Sequence, residues 1–219
     1  MSKTPEQVQR DQRDADLSRR SFLKGAGGAA AGAAFAQGAQ AAQEAAVAEP
    51  ETGVQVLSGA TEIELSINGE ARRLTVEPRT TLLSALRSRL EPAMTGTKEV
   101  CDSGNCGACT VLVEGKPVYS CMQLAVTVQG KPVTTVEGFG KPDQMSAVQE
   151  AFCNNDALMC GFCTPGFVVA TEAVLAKHPD PDAETIRHEL AGNICRCGTY
   201  DGVFKAVQEA SATRRGGAK

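Results

Sequence analysis

Apolar and polar residues alternate with a period of two between residues 63 and 76. The alternation covers residues 63–67 and 74–76, on either side of Asn68-Gly69, and it stops at Pro78. An alternation of period two predicts half-buried strands, and Asn-Gly between two such runs is a strong hairpin signal. We therefore predict a β-hairpin in this part of the chain.

Leucines at helical spacing follow the hairpin and predict a helix over 81–90, with Thr80 or Thr81 as its cap. Beyond a loop rich in Gly and Cys, strand-like patterns return at Thr110–Val113, Pro117–Leu124 and Val133–Val136. Two hairpins, one helix and a closing strand predict a small α+β domain with a mixed sheet over 61–138.

From about residue 141 the apolar residues recur at helical spacing instead. The predicted helices contain Met145–Phe152, Pro165–Lys177, Asp182–Leu190 and Gly202–Ala212. Thr164-Pro165 is typical of a cap followed by the first helical residue. We predict an all-helical domain over 142–212, a boundary at Gly138–Pro142 and a frayed tail over Arg214–Lys219.

The N-terminus has the pattern of a targeting segment. Residues 18–24 form a twin-arginine pattern, and a weakly apolar Ala/Gly run follows it. Residues 34–36 and 39–41 are alternative processing sites of the A-x-A type. We predict a twin-arginine signal over 1–36, export of the folded protein to the periplasm, and a linker or arm over 37–60. A disordered N-terminus with a chance arginine pair is the alternative.

The composition narrows the classes of function. Of 219 residues, 42% are apolar, which is enough for a buried core, although only 4% are aromatic. The formal net charge of −4 gives no basic excess for a nucleic-acid partner. The Ala/Gly run near the N-terminus is too short and too small-sided for a membrane span. We therefore expect neither nucleic-acid binding nor stable membrane insertion.

Four of the nine cysteines form a first group, Cys101-x4-Cys106-x2-Cys109 with Cys121 further on. This is the plant-type spacing for a [2Fe-2S] cluster. Such a cluster is anionic and needs backbone N–H groups close to its sulfurs. Gly104, Gly107 and Ala108 leave room for that approach. A zinc site or two disulfides are the alternatives, although structural zinc favours paired knuckles.

A second group consists of Cys160-x2-Cys163 and Cys195-x-Cys197. Each half precedes a predicted helix, so two helix N-termini would bring partial positive charge to one anionic site. The spacing alone also fits zinc. The ninth thiol, Cys153, follows Phe152 on a predicted helix, and we expect it to be buried and inert.

Three motifs together resemble a known family. Residues 99–110 read Glu-Val-Cys-Asp-Ser-Gly-Asn-Cys-Gly-Ala-Cys-Thr, 160–166 read Cys-Gly-Phe-Cys-Thr-Pro-Gly, and 193–198 read Asn-Ile-Cys-Arg-Cys-Gly. They resemble the two-cluster iron–sulfur subunit of the xanthine oxidase family of molybdenum hydroxylases, over about 61–212. With the twin-arginine start, the chain looks like the small subunit of a periplasmic aldehyde oxidoreductase.

The resemblance implies a fold, cofactors and partners. The fold would be a β-grasp plant-type ferredoxin domain followed by a four-helix-bundle-like [2Fe-2S] domain. A large catalytic subunit would carry molybdopterin and oxidise an aldehyde or heterocycle, and an FAD subunit would commonly complete the complex. The second cysteine group would lie near the pterin, with Cys197 close to its amino group. The first group would relay electrons towards flavin.

The chain departs from the family at Met159. The family usually has Gln immediately before the Cys-Gly-x-Cys motif, and that Gln hydrogen-bonds the pterin. A thioether cannot donate a hydrogen bond. Our hypothesis is that Met159 packs against the pterin edge; packing in the core of this chain is the alternative.

The chain contains no evident catalytic group. Its two histidines, His178 and His188, show no ligand spacing, and no nucleophile motif lies beyond residue 36. We therefore expect electron transfer and assign no catalytic residue. A stand-alone periplasmic ferredoxin-like carrier is the first competing function. A zinc- or disulfide-stabilised binding module is the second.

Overall fold

A computed structural model describes residues 56–217 of the chain. The predicted signal, both processing sites and most of the predicted arm lie outside the described residues. Residues from Leu57 onward belong to one compact unit. No helix within residues 56–217 has the length and apolar character that a bilayer crossing requires.

Five strands form one mixed sheet in the order β2-β1-β5-β3-β4. Their bounds are β1 Thr61–Ile67, β2 Glu70–Val76, β3 Thr110–Val113, β4 Lys116–Tyr119 and β5 Pro132–Thr134. Strands β1 and β5 run parallel, whereas the other neighbours are antiparallel. The predicted Asn68-Gly69 hairpin and mixed sheet are confirmed, and both turn residues have positive φ.

Helix α1, Leu82–Ser88, covers one face of this sheet. The side chain of Thr81 accepts a hydrogen bond from the Ser84 N–H at 3.1 Å, so Thr81 and not Thr80 is the cap. Leu82 and Leu86 of α1 pack with the inward residues of β1, β2 and β3 in one apolar cluster, whereas Leu83 packs with Cys109 and Cys121. We call β1–β5 and α1 the sheet region.

The second hairpin is shorter than its sequence pattern predicts. Strand β4 ends at Tyr119, and Cys121 lies in a 3-10 turn over Ser120–Met122. Residues 123–125 instead exchange backbone hydrogen bonds with the start of α1, through Leu82 N–H to Gln123 O and Ala125 N–H to Thr80 O. That pairing draws the chain away from β3, so a strand to Leu124 is wrong.

Four helices follow in the described part of the chain: α2 Ala147–Asn154, α3 Thr164–Lys177, α4 Ala183–Glu189 and α5 Tyr200–Gly216. They surround a second apolar cluster that includes Phe152, Phe167, Ile186 and Val207. A capping box between Ser146 and Gln149 starts α2. We call α2–α5 the helical region.

Two details of the helical region differ from the sequence-based expectations. Helix α3 begins at Thr164 with Cys163 as its cap. Helix α5 continues to Gly216, because Arg214 pairs with Glu172 and Arg215 pairs with Asp180. The expected fraying from Arg214 is therefore wrong as far as the described residues extend.

The ninth cysteine also differs, because Cys153 is exposed rather than buried. The preceding residue, Phe152, occupies the buried face of α2 together with Val148. The next position along a helix points about 100° away, which turns the thiol of Cys153 towards solvent.

Candidate metal centres

The four thiols of the first cysteine group meet around Tyr119. Cys101, Cys106 and Cys109 come from the loop between α1 and β3, and Cys121 comes from the turn after β4. Burial raises the pKa of Tyr119, and negative charge on all four of these thiols raises it further. The Tyr119 side chain therefore lies close enough to four thiols, from two segments of the chain, for their charge to act on it.

Within this group the thiols pair two by two. Cys101 contacts Cys106, and Cys109 contacts Cys121. The backbone N–H groups of Ser103 and Asn105 lower the pKa of Cys101 to about 6. Desolvation, followed by the contact with Cys109, raises the pKa of Cys121 to about 11. One pair therefore lies in the loop, and the other is buried at the sheet.

The cysteine loop adopts a backbone that glycine makes possible. Gly104 and Gly107 have φ of +73° and +71°, in the left-handed region. The Asn105 N–H points at the Cys101 sulfur across 3.4 Å. Backbone donors directed at sulfur are what an anionic cluster requires.

The second cysteine group lies where two helices begin. Cys163 caps α3, and Cys195 and Cys197 lie just before α5, whose cap is Thr199. The pairs are Cys160 with Cys197 and Cys163 with Cys195. The expected meeting of two helix N-termini at these thiols is present in the structure.

The pair of Cys163 and Cys195 in the second group is electrostatically asymmetric. Burial, followed by the contact with Cys195, raises the pKa of Cys163 to about 12. Burial acts in the same direction on Cys195, but the Thr199 hydroxyl and backbone N–H groups outweigh it and lower its pKa to about 7. The Cys195 sulfur lies 3.2 Å from the Thr199 hydroxyl, and the Cys195 N–H donates to the Tyr200 hydroxyl at 2.9 Å.

These arrangements fit a [2Fe-2S] cluster. All nine cysteines are free thiols, so disulfides do not account for either group. Each group offers two thiol pairs, as two iron atoms with two thiolates each require. A tetrahedral zinc instead needs four sulfurs about 2.3 Å from one point.

The structure places Met159 on the surface, beside the second group. Its exposed fraction is 73%, so the alternative of packing in the core of this chain is wrong. Met159 immediately precedes Cys160 in the sequence, and the neighbouring side chains of Leu158 and Phe162 are also exposed.

Sequence patterns do not identify several residues that adjoin the thiols. Tyr119 lies among the first group, Thr199 contacts the Cys195 sulfur, and the Asn193 side chain reaches the first loop at Gly107. Asn193 belongs to the motif at 193–198, whereas the only sequence signal for Tyr119 and Thr199 is their position within a few residues of a cysteine. The contact of Asn193 joins segments far apart in the chain, and that of Thr199 spans four residues.

Three family models match the chain. A 2Fe-2S iron-sulfur cluster binding domain matches residues 65–138, and a [2Fe-2S] binding domain matches residues 135–208. A TAT (twin-arginine translocation) pathway signal sequence matches residues 16–36. The last match supports the expected export to the periplasm.

Curated relatives agree with these matches. The aldehyde oxidoreductase iron-sulfur-binding subunit PaoA of Escherichia coli strain K12 is 36% identical over 213 residues, covering 90% of both chains. The nicotinate dehydrogenase small FeS subunit of Eubacterium barkeri is 40% identical over 148 residues, covering 68% of this chain and 93% of that protein.

Solved structures give the same result. Quinoline 2-oxidoreductase from Pseudomonas putida 86 matches with a TM-score of 0.67 and 40% identity, over 73% of this chain and 99% of that chain. The aldehyde oxidoreductase from Desulfovibrio desulfuricans matches with a TM-score of 0.68 and 42% identity, over 71% of this chain and 17% of that longer chain.

Proposed function

Because the chain belongs to the iron–sulfur subunits of the xanthine oxidase family of molybdenum hydroxylases, we propose that it carries electrons from a molybdopterin site in a large partner subunit through two [2Fe-2S] clusters to a further acceptor. The clusters supply one-electron steps, which divide the two electrons released at each substrate oxidation. The twin-arginine signal places this activity in the periplasm.

The arrangement of the eight thiols in pairs carries the proposal. One cluster would be held by Cys101, Cys106, Cys109 and Cys121, and the other by Cys160, Cys163, Cys195 and Cys197. In each group one pair would bind one iron and the second pair the other iron. The chain's own residues supply backbone donors to Cys101 and a hydroxyl to Cys195.

We assign the two regions to two domain types. The sheet region would be a β-grasp plant-type ferredoxin domain over 61–138, and the helical region a four-helix-bundle-like [2Fe-2S] domain over 142–212. The order of strands, with β1 beside β5 and one helix between the two hairpins, supports the first assignment. Four helices around one apolar cluster support the second.

An exposed apolar rim around the second group supports a large protein partner there. Four large apolar side chains around this group are each more than 40% exposed: Leu158, Met159, Phe162 and Ile194. Exposed clusters of large apolar residues on a protein surface usually mark interaction sites. The molybdopterin subunit would cover this rim, with Met159 and Cys197 near the pterin. Electrons would therefore enter at the second group.

The first group has a rim of its own. Val100, Met122 and Leu124 are exposed next to Cys101 and Cys121. Electrons would leave there, towards an FAD subunit or another acceptor. A carrier without a permanent catalytic partner would have less need for two such apolar rims.

An aldehyde is the substrate class that we favour. The alignment with the PaoA protein extends over 213 residues, whereas that with the nicotinate dehydrogenase small FeS subunit extends over 148. The longer alignment covers 90% of this chain, so it extends beyond the two cluster domains into the N-terminal segment.

Purification of the complex from its native source tests this function. We expect the chain to co-purify with a large subunit that contains molybdenum and pterin, and an aldehyde to reduce both clusters without added mediator. A chain that carries iron but purifies alone, and whose clusters stay oxidised with every aldehyde and N-heterocycle tested, would support the lone carrier instead.

Met159 provides a separate test of the pterin contact. We propose that its thioether packs against the pterin edge, so Met159→Gln should change pterin retention or the potential of the second cluster. Met122→Gln, at another exposed methionine beside the first group, is the control. Unchanged pterin content and potential in Met159→Gln would reject the contact.

A further inference from the structure

The two cysteine loops contact each other through two adjacent hydrogen bonds. The Ile194 N–H donates to the Cys106 carbonyl at 2.9 Å. The Asn193 side-chain amide donates to the Gly107 carbonyl at 3.0 Å and lies 3.4 Å from the Thr110 hydroxyl. Consecutive residues of one loop therefore bind consecutive carbonyls of the other.

Asn193 is buried at this contact, with an exposed fraction of 6%. Burial of an amide is costly unless its hydrogen bonds are made. Its side-chain donor finds them 83 and 86 residues away in the chain, at Thr110 and Gly107. The side chain therefore has its favourable interactions only when the two loops are in place.

Glycines bring the loops this close. A Cβ atom at Gly107 would lie 2.6 Å from the Gly192 carbonyl oxygen and 2.7 Å from the Asn193 side chain. A Cβ atom at Gly166, in the first turn of α3, would overlap the Gly107 carbonyl. The first cysteine loop is thus held between α3 and the segment that precedes Cys195.

Each hydrogen bond adjoins a thiol that we assign to a cluster. Cys106 itself accepts the Ile194 N–H, and Cys195 is the residue that follows Ile194. Electron transfer between the groups depends on their separation, so a contact at this place determines how well they communicate.

We propose that Asn193 is a positioning residue for electron transfer between the two clusters. Its amide clamps residues 193–197 onto the first cysteine loop and so fixes the separation and relative orientation of the two sets of thiols. Asn193 itself ligates no iron and touches no substrate. The proposal rests on the proposed function, since it concerns clusters that both groups hold.

The test uses the complete enzyme complex, matured in the cytoplasm, with Asn193→Leu in this chain. Leu has the same number of side-chain heavy atoms with the same branching, and it cannot donate a hydrogen bond. Two reduced clusters are both paramagnetic, so their EPR signals split each other when they are close and rigidly placed. We expect resolved splitting in the wild type and its loss in the variant, while both cluster signals and the iron content persist.

Asn155→Leu is the matched control. Asn155 also makes side-chain hydrogen bonds, to the Ala151 carbonyl at 2.8 Å and to Glu209 at 2.7 Å, but none to either cysteine loop. We expect it to retain wild-type splitting even where it lowers the thermal stability. Splitting lost equally in Asn155→Leu would overturn the proposal, because general loosening would then explain the effect.

If Asn193→Leu contains both clusters and shows the same EPR splitting as the wild type, the proposal is overturned. If that variant does not assemble, the shorter Asn193→Ser carries the same test. Hydrogen exchange of the Ile194 amide in the loaded wild type needs no variant, and exchange as fast as in an unfolded peptide would also overturn it. A wild type that lacks two cluster signals would instead refute the proposed function.

Discussion

The hydroxyl of Thr199 shows how a single residue can tune one cluster. It lies 3.2 Å from the Cys195 sulfur. A thiolate bound to iron carries no proton, so the hydroxyl must then be the donor. A donor to sulfur stabilises the extra electron of the reduced cluster and raises its potential.

Thr199→Val should therefore lower the potential of the second cluster and leave the first unchanged. The expected shift is on the order of 50 mV, the one-electron equivalent of about 1 kcal/mol, which is the typical net contribution of one hydrogen bond. A redox titration followed by EPR measures both clusters in one sample. Thr213→Val, on the exposed end of the same helix, is the control. A shift of equal size in both variants would contradict the role of Thr199.

The thiols should differ strongly in the apo chain. The pKa of Cys101 is lowered to about 6, so this residue is mostly thiolate at pH 7. The pKa of Cys163 is raised to about 12, so it stays protonated. Since the thiolate is the nucleophile, alkylation of folded apo protein should reach half its maximal rate near pH 6 at Cys101 and only at strongly alkaline pH at Cys163.

Mass spectrometry of peptides from the alkylated chain measures these profiles. Indistinguishable pH profiles for Cys101 and Cys163 would show that the folded loops do not impose the asymmetry.

At the residue scale, the sequence predicts the ligand candidates better than their surroundings. Spacing gathers eight thiols into two groups of candidate ligands, although the spacing of the second group also fits zinc and only the resemblance to the family favours a cluster there. It does not identify Asn193, whose contacts exist only after distant segments meet, or Thr199, whose hydroxyl contacts the sulfur of Cys195 four residues earlier. It also misplaces Cys153, since a helix position next to a buried residue can face either way.

Helix α3 is the element that joins the two regions. Its residue Gly166, in the first turn, has a weaker helix propensity than Ala. The first cysteine loop explains it, because a Cβ atom would overlap the Gly107 carbonyl and lie 3.1 Å from the Ala108 Cα.

Gly166→Ala should push the loop away from α3 and lower the free energy of unfolding by about 1–3 kcal/mol, the usual cost of overpacking. Denaturant titration followed by the visible absorption of the loaded chain reports the loss. Gly216→Ala, near the end of α5 with open space around its Cα, should have little effect. An unchanged denaturant midpoint in Gly166→Ala would contradict this expectation, because the loop would then move away from α3 without loss of stability.

At the element scale, the period of the apolar residues predicts most of the structure. It gives the first hairpin, α1 and the approximate positions of α2–α5. The errors arise where tertiary hydrogen bonds or ion pairs decide the outcome. The Leu82 and Ala125 amides end β4 early, and pairing of Arg214 with Glu172 extends α5.

The whole molecule is an exported chain whose low aromatic content accompanies two metal centres. Each region has its own apolar cluster. Cys195 belongs to the cluster of the helical region, whereas Cys109 and Cys121 form a small separate cluster with Leu83. Ligation of metal contributes to folding stability as well as to function. The twin-arginine route suits such a protein, since the clusters can be inserted before export.

Iron analysis and EPR of the reduced chain, matured in the cytoplasm, test the central claim most directly when the wild type is compared with Cys109→Ser and Cys195→Ser. We predict about four iron atoms per wild-type chain and two distinct [2Fe-2S] signals. Cys109→Ser should lose one signal and Cys195→Ser the other. Zinc in place of iron, a single signal in the wild type, or loss of the same signal in both variants would contradict the two-cluster assignment.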